Sequence, residues 1–268
     1  MSWSLGMATG ACPDRPILEI LPLIRDAGAV GIEVGTPPRH FDAADAAQVR
    51  SAGDAARRLT LTPISIHAPF SKHFDLAHPD AVRRHAGAAT IRAAMTALRA
   101  LGGQLVVVHP SDLERHEHDV QARLADSLAS LHGLADECRH GGLTLVVESP
   151  LPHLIGGHPD EFAWLLHRLD RQVGVCLDTG HTFLGRHWHR FLNVADGRLA
   201  HVHLNDNAGR RDDHLPPGDG HIDWAEIART LMAVNFRGWA MIELHCSTPD
   251  TAGFFSRAWT QSASLLGR

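Results

Sequence analysis

Short apolar runs alternate with longer amphipathic stretches along the whole chain. Eight runs form largely continuous apolar segments rich in Val, Ile and Leu, which is typical of strands in a parallel sheet covered on both faces. The predicted strands span residues 5–8, 30–34, 62–67, 105–109, 143–148, 173–177, 200–204 and 239–243.

Helical patterns separate these strands, at residues 16–27, 43–58, 79–101, 117–140, 159–168, 224–234 and 250–266. Residues 186–190 are rich in His and Arg, and residues 206–222 form a polar loop with Gly and Pro. Eight strands alternating with about eight helices predict the α/β class. No linker, low-complexity tract or change of composition divides the chain. We therefore expect a single (β/α)8 TIM barrel domain over residues 1–268, with a doubly wound open sheet as the alternative.

Polar residues with metal-binding side chains end six consecutive predicted strands, the third to the eighth. They are His67, His109, Glu148, Asp178, His203 and Glu243. The carboxyl ends of barrel strands meet at one face, so these side chains are expected to converge there. Converging carboxylates repel one another and are costly to bury unpaired, and divalent metal ions remove both problems. Imidazole and carboxylate ligands together suit Zn, Mn, Fe or Co.

Two further segments are expected to join this cluster. His181 lies three residues after Asp178, and the intervening Gly180 predicts a turn that brings it back toward the strand end. Asp212 and His214 lie in the polar loop after the seventh strand, followed by glycines that permit a tight turn. Any one of these residues alone could be an ordinary hydrogen-bonded or solvated side chain. Their joint placement predicts a metal centre.

The composition limits the kinds of partner that such a protein is expected to bind. The formal net charge is −5, without a basic stripe, which argues against a nucleic-acid surface. The four cysteines are scattered without a Cys-x-x-Cys pair, which fits a reducing cytoplasm and argues against thiolate zinc sites. No apolar run reaches about 18 residues and no secretory signal is visible. We expect a cytoplasmic protein with a small-molecule substrate and no membrane contact, and a homo-oligomer is left open.

These segments resemble the xylose-isomerase-like TIM barrel superfamily, which contains sugar isomerases and epimerases as well as endonuclease-IV nucleases of AP endonuclease family 2. The resemblance covers nearly the whole chain. The matching pieces are Ser65-Ile-His67-Ala-Pro69, Val108-His109-Pro110, Val147-Glu148, Cys176-Leu-Asp178-Thr-Gly-His181, His203-Leu-Asn-Asp206, Asp212-x-His214 with Gly218-x-Gly220, and Ile242-Glu243. The order and spacing of these pieces are specific for the superfamily but much less specific for a reaction.

The two branches of the superfamily imply different numbers of metal ions, between one and three. The nuclease class implies three ions on nine ligands, and each ligand has a counterpart here: His67, His109, Glu148, Asp178, His181, His203, Asp212, His214 and Glu243. The epimerase class implies one ion, held by Glu148, Asp178, His203 and Glu243. It also has an Arg where this chain has Gly209, with Arg210 and Arg211 close but out of register.

Three functions follow from these patterns, and we favour the first. It is a metal-dependent isomerase or epimerase of a small sugar or sugar phosphate, in which Glu148 and Glu243 transfer the proton. The second is a trinuclear phosphoester hydrolase, to which the surplus ligands point, although the charge and the lack of tyrosine oppose a DNA substrate. The third is a non-enzymatic metal- or sugar-binding barrel.

Four other residues are candidates for substrate binding. Lys72, Arg210 and Arg211 lie in predicted loops on the catalytic face and could receive a phosphate or carboxylate. Glu33 ends the second predicted strand. It could orient the substrate or a metal-binding histidine, or pair with Arg39.

Overall fold

The computed structural model describes residues 3–195 and 197–267 and contains one closed barrel of eight parallel strands. The strands are β1 Ser4–Ala8, β2 Gly31–Val34, β3 Thr62–His67, β4 Leu105–Val108, β5 Thr144–Glu148, β6 Gly174–Asp178, β7 Leu199–Leu204 and β8 Trp239–Ile242. Each agrees with its predicted span to within one residue at either end. β1 pairs with β8, so the (β/α)8 TIM barrel is confirmed and the open-sheet alternative is wrong.

Nine α-helices cover the barrel in the part of the chain that the structure describes. They are α1 Ile17–Ala27, α2 Ala46–Arg58, α3 Ala81–Leu101, α4 Val120–His140, α5 Pro159–Leu166, α6 Thr179–Leu184, α7 Trp188–Ala195, α8 Trp224–Ala233 and α9 Thr251–Leu265. A short 3-10 turn at Thr9–Ala11 follows β1. Among the described residues, no helix has the length and apolar character that crossing a membrane requires.

Two of the helices, α6 and α7, were not predicted. The apolar side chains of α7 that are buried against the barrel are Trp188, Phe191, Leu192 and Ala195. Their spacing is helical, but charged residues before and among them obscured it. Helix α6 has only six residues, too few for a periodic pattern to be visible.

The two-residue period of the strands explains why polar residues gather at one mouth. Val107 and Val146 form a small buried cluster inside the barrel, whereas their neighbours Val106 and Val147 pack into the main core with the helices. Alternation then places the side chain two positions after an interior residue on the interior again. On β5 this residue is Glu148, at the carboxyl end of the strand.

Candidate metal centre

All nine of the ligands predicted from the sequence meet at the carboxyl-terminal mouth of the barrel. Four lie in strands, two directly follow β4 and β8, one is in α6, and two are in the loop between β7 and α8. His67 and Glu243, which come from distant parts of the chain, border the same two cavities. The structure thus brings the nine residues together, and their role as ligands stays a prediction.

A strand-borne centre is formed by Glu148, Asp178, His203 and Glu243. Each offers one ligand atom, and these four atoms lie within 4.8 Å of one another. His203 Nδ1 lies 3.2 Å from Glu148 Oε1 and 3.1 Å from Glu243 Oε2. Among the described residues, this buried nitrogen has no hydrogen-bond partner of acceptable angle. A nitrogen that faces two carboxylate oxygens without a hydrogen bond to either fits a metal ligand.

Glu33 lies behind His203, on the side away from this centre. Its Oε1 is 3.0 Å from His203 Nε2, while its Oε2 contacts His201 Nε2 at 2.9 Å and accepts a 2.7 Å hydrogen bond from Ser65 Oγ. A carboxylate behind a histidine commonly fixes which ring nitrogen faces a metal. The contact between Glu33 Oε1 and His203 Nε2 is a close ion-pair distance without hydrogen-bond geometry among the described residues, and it leaves Nδ1 of His203 directed at Glu148 and Glu243.

One alternative for Glu33 is wrong. Arg39 pairs at the surface with Asp14, 3.2 Å away, whereas Glu33 is fully buried. Glu33 also borders the larger of the two cavities over the mouth, and its role in substrate binding stays a prediction.

A loop-borne centre is formed by His181, Asp212 and His214. Asp212 Oδ2 lies 3.3 Å from His181 Nε2 and 2.9 Å from His214 Nε2. His181 Nδ1 donates to the Ser149 carbonyl at 2.9 Å, which leaves Nε2 free to face Asp212. Asp212 Oδ1 is buried and, among the described residues, has no hydrogen-bond partner. These three side chains can hold a second ion.

The turn predicted before His181 is in fact the first turn of α6. Asp178 caps this helix, because its Oδ1 accepts a 2.7 Å hydrogen bond from the His181 amide. Its other oxygen accepts a 2.6 Å bond from Asn205 Nδ2. Gly180 is required by close packing, since a Cβ there would lie 2.0 Å from Asn205 Oδ1.

His67 and His109 approach Glu148 from the other side. Their Nε2 atoms lie 3.1 and 3.4 Å from Glu148 Oε2. His109 Nδ1 donates to Asp112 at 2.9 Å, and the Asp112 amide donates to Asp75 at 2.5 Å. Asp112 thus directs Nε2 of His109 toward Glu148. The sequence interpretation missed Asp112, whose only signal is its position three residues after His109.

The carboxylates and histidines perturb one another strongly. Burial by itself raises the pKa of Glu148, but His203 and His109 outweigh this effect and hold that pKa well below its usual range. Burial lowers the pKa of His181, yet Asp178 and Asp212 together raise it to about 9. The pKa of His214 rises to about 10, against the effect of burial, mainly through Asp212 and then Glu243. Such a cluster attracts positive charge, and divalent ions would compete with protons for it.

Two cavities give access to these residues. One of about 130 Å³ lies over the predicted ligands, and a neighbouring one of about 420 Å³ shares His67, Phe70, His214 and Glu243 with it. The Phe70 ring stacks on His109, with 4.3 Å between ring centroids. The larger cavity has mostly apolar walls, which is usual for small-molecule sites.

The predicted cationic substrate-binding residues lie outside these walls. Lys72, Arg210 and Arg211 are exposed, and Arg211 pairs with Asp213. None of the described residues that line either cavity is Lys or Arg. A role of these three residues in substrate binding stays a prediction, to which the cavities lend no support.

Elemental analysis is expected to find divalent metal in the purified protein, or after its reconstitution with Zn²⁺, Mn²⁺ or Co²⁺. About one ion per chain would fit the strand-borne centre, and about three would fit all nine residues. The double variant His116→Ala, His118→Ala removes two exposed histidines outside the mouth and should bind the same number. A protein that stays metal-free after reconstitution would contradict the centre.

Comparison with known proteins agrees with this architecture. The family model described as a xylose isomerase-like TIM barrel matches residues 21–263. An uncharacterized protein of Methanocaldococcus jannaschii, MJ1311, is 27% identical over 189 residues, covering 67% of this chain and 64% of that protein. A D-psicose 3-epimerase of Agrobacterium fabrum is 25% identical over 198 residues, covering 70% of this chain and 66% of that protein. The chain thus matches about two thirds of the length of these relatives.

A solved structure described as a D-tagatose 3-epimerase-like protein superposes with a TM-score of 0.84, covering 100% of this chain and 98% of that one. Its sequence identity is 20%, so this likeness speaks for the fold alone. The family match extends over most of the chain and includes strands β2 to β8 of the closed barrel. This chain therefore belongs to the xylose isomerase-like TIM barrel family.

Proposed function

We propose that the protein is a divalent-metal-dependent epimerase or isomerase that moves a proton on a small sugar. The observation that carries this proposal is the position of two carboxylates, Glu148 and Glu243, on either side of His203 Nδ1 at 3.2 and 3.1 Å. They extend from β5 and from the end of β8, three strands apart around the ring, so they approach the shared space from different directions. Their arrangement suits removal of a proton from one face of a carbon and its return to the other.

Both carboxylates are in the ionised form that can accept a proton. Burial raises the pKa of Glu243, but His203 and His214 outweigh it, so the pKa is lowered as it is for Glu148. Each is therefore ionised at neutral pH and able to accept a proton. A divalent ion bound by Glu148, Asp178, His203 and Glu243 would polarise a substrate carbonyl and its neighbouring hydroxyl, and so acidify the carbon-bound proton. The cavity of about 420 Å³ above them has room for a small sugar.

The cavity walls support an uncharged sugar over a sugar phosphate. A phosphate is usually bound by Arg or Lys, and neither residue type lines the described walls. Apolar surfaces such as Phe70, Phe74 and Leu244 can instead contact the C–H faces of a sugar. The relatives named D-psicose 3-epimerase point to the same class.

Solvent-deuterium exchange into a panel of ketohexoses, starting with D-psicose, D-tagatose and D-fructose, tests the proposal. We expect the metal-loaded protein to place deuterium on one carbon next to the carbonyl and to produce the epimer or isomer, as followed by NMR. Chelator-treated protein is the control and should do neither. Failure to exchange any member of the panel, with cleavage of a phosphodiester by the same preparation, would refute the proposal.

A phosphoester hydrolase is the second candidate, because one ion cannot use nine ligands. The loop-borne centre of His181, Asp212 and His214 stands beside the strand-borne centre and could hold an ion of its own. Clustered ions can activate water and stabilise a leaving oxygen. Hydrolysis of bis(p-nitrophenyl) phosphate by protein loaded with about three ions per chain would support this function over the first.

A further inference from the structure

Asp206 is a fully buried acid that the proposed chemistry does not use. It follows β7, and its carboxylate accepts four hydrogen bonds. Oδ1 accepts from the amides of Asn207 at 2.9 Å and Ile222 at 3.1 Å. Oδ2 accepts from the Gly218 amide at 2.9 Å and from the Trp224 indole at 2.8 Å. Hydrogen bonds to an ionised acceptor are stronger than those between neutral groups, so these four are strong restraints.

The four donors tie both ends of one loop, residues 207–222, to a single carboxylate. Two backbone hydrogen bonds between Asp206 and Leu215, of 2.8 and 2.9 Å, hold the middle of the loop to the same residue. Gly218 has a φ of +93°, and a Cβ on Gly220 would lie 2.2 Å from Asp206 Oδ1. The glycines of this loop therefore let the backbone close around Asp206.

Asp212 and His214 lie between these ties. His214 has a φ of 46°, in the left-handed region that side-chain-bearing residues rarely adopt. Such a conformation persists only where the surrounding structure holds it. The ties at the ends and middle of the loop, together with a 3.0 Å hydrogen bond from the His245 amide to the His214 carbonyl, hold His214 toward His181.

We propose that Asp206 is a positioning residue that folds loop 207–222 so that Asp212 and His214 reach His181. The strand-borne centre takes none of its ligands from this loop, because Glu148, Asp178 and His203 lie in strands and Glu243 directly follows one. Loss of the Asp206 carboxylate should therefore disable the loop-borne centre alone. The expected loss of the loop-borne centre rests on the proposed metal centre. The expected restraint of loop 207–222 by Asp206 does not.

The variant Asp206→Asn tests the inference in the full-length protein. The amide keeps the shape of the carboxylate but turns an NH2 group toward amide or indole donors. We expect hydrogen–deuterium exchange to accelerate at least about tenfold within residues 207–222 and nowhere else. In Zn²⁺ titrations, the affinity of the loop-borne centre should fall about 10–100-fold while that of the strand-borne centre is unchanged.

Asp219→Asn is the matched control, since Asp219 lies in the same loop but binds Arg257 and Gln261 at the surface. It should change neither exchange nor zinc affinity. Loop exchange in Asp206→Asn that equals the wild-type rate would overturn the inference.

If hydrogen–deuterium exchange in Asp206→Asn is rapid throughout the barrel, the variant Trp224→Phe tests the inference instead, because it removes only one of the four donors to Asp206. A rise confined to residues 207–222 would support the inference, and an unchanged loop would overturn it. A wild-type protein that binds no zinc would refute the metal centre, yet the exchange of the loop would still test the role of Asp206.

Discussion

Replacing Glu148 with glutamine is expected to lower the turnover rate by about 10⁴-fold while the barrel stays folded. Glu148 is in contact with His67 at 3.1 Å, His203 at 3.2 Å and His109 at 3.4 Å. Glutamine preserves the shape of the side chain, but it can neither accept the substrate proton nor supply the negative charge that a divalent ion needs. The measurement is kcat on the sugar that shows solvent exchange, with circular dichroism to verify the fold.

Glu137→Gln is the matched control for this experiment. Glu137 makes the same kind of carboxylate contact, with Arg92 at 2.7 Å, but at the surface of α4. Its replacement should leave kcat unchanged. Activity of Glu148→Gln within tenfold of the wild type would remove Glu148 from the mechanism.

Replacing Glu33 with glutamine is expected to lower the free energy of unfolding by about 3–5 kcal/mol, because it removes one partner of a buried charged network. Burial raises the pKa of Glu33, but His203 and then His201 outweigh this effect, and the pKa lies well below its usual range. The carboxylate is thus charged inside the barrel. Its loss should also weaken metal binding about 10–100-fold, because His203 loses the group that orients it.

Urea unfolding and Zn²⁺ titration measure these two effects separately. Ser65→Ala is the control, because it keeps the Glu33 carboxylate and removes only the contacts of Ser65 Oγ, which are the hydrogen bond to Glu33 and a 3.4 Å contact with His201 Nε2. It should cost about 1 kcal/mol and leave zinc affinity unchanged. If Glu33→Gln were as stable as the wild type and bound zinc equally well, Glu33 would have no positioning role.

Sequence patterns located the strands closely because a strand buried on both faces is a continuous apolar run, and each of these runs ends at a Gly, a Pro or a polar residue. They located helices less well. Helix α6 is too short to show a period, and α7 was missed although its buried residues have helical spacing. Sequence patterns did not reveal Asp112, and they included Asp206 in a matching motif without indicating its contacts, because the contacts of both residues depend on how loops fold over the mouth.

The sequence by itself determined the barrel and the set of side chains at its mouth. Strand ends are local features, and closure of a parallel sheet brings them to one face whatever the loops do. Only the tertiary structure decided how these side chains divide between a strand-borne centre and a loop-borne centre, and that Glu33 stands behind His203. These arrangements depend on distances of a few ångströms between residues far apart in the chain, such as Glu33 and His203, and no local pattern encodes them.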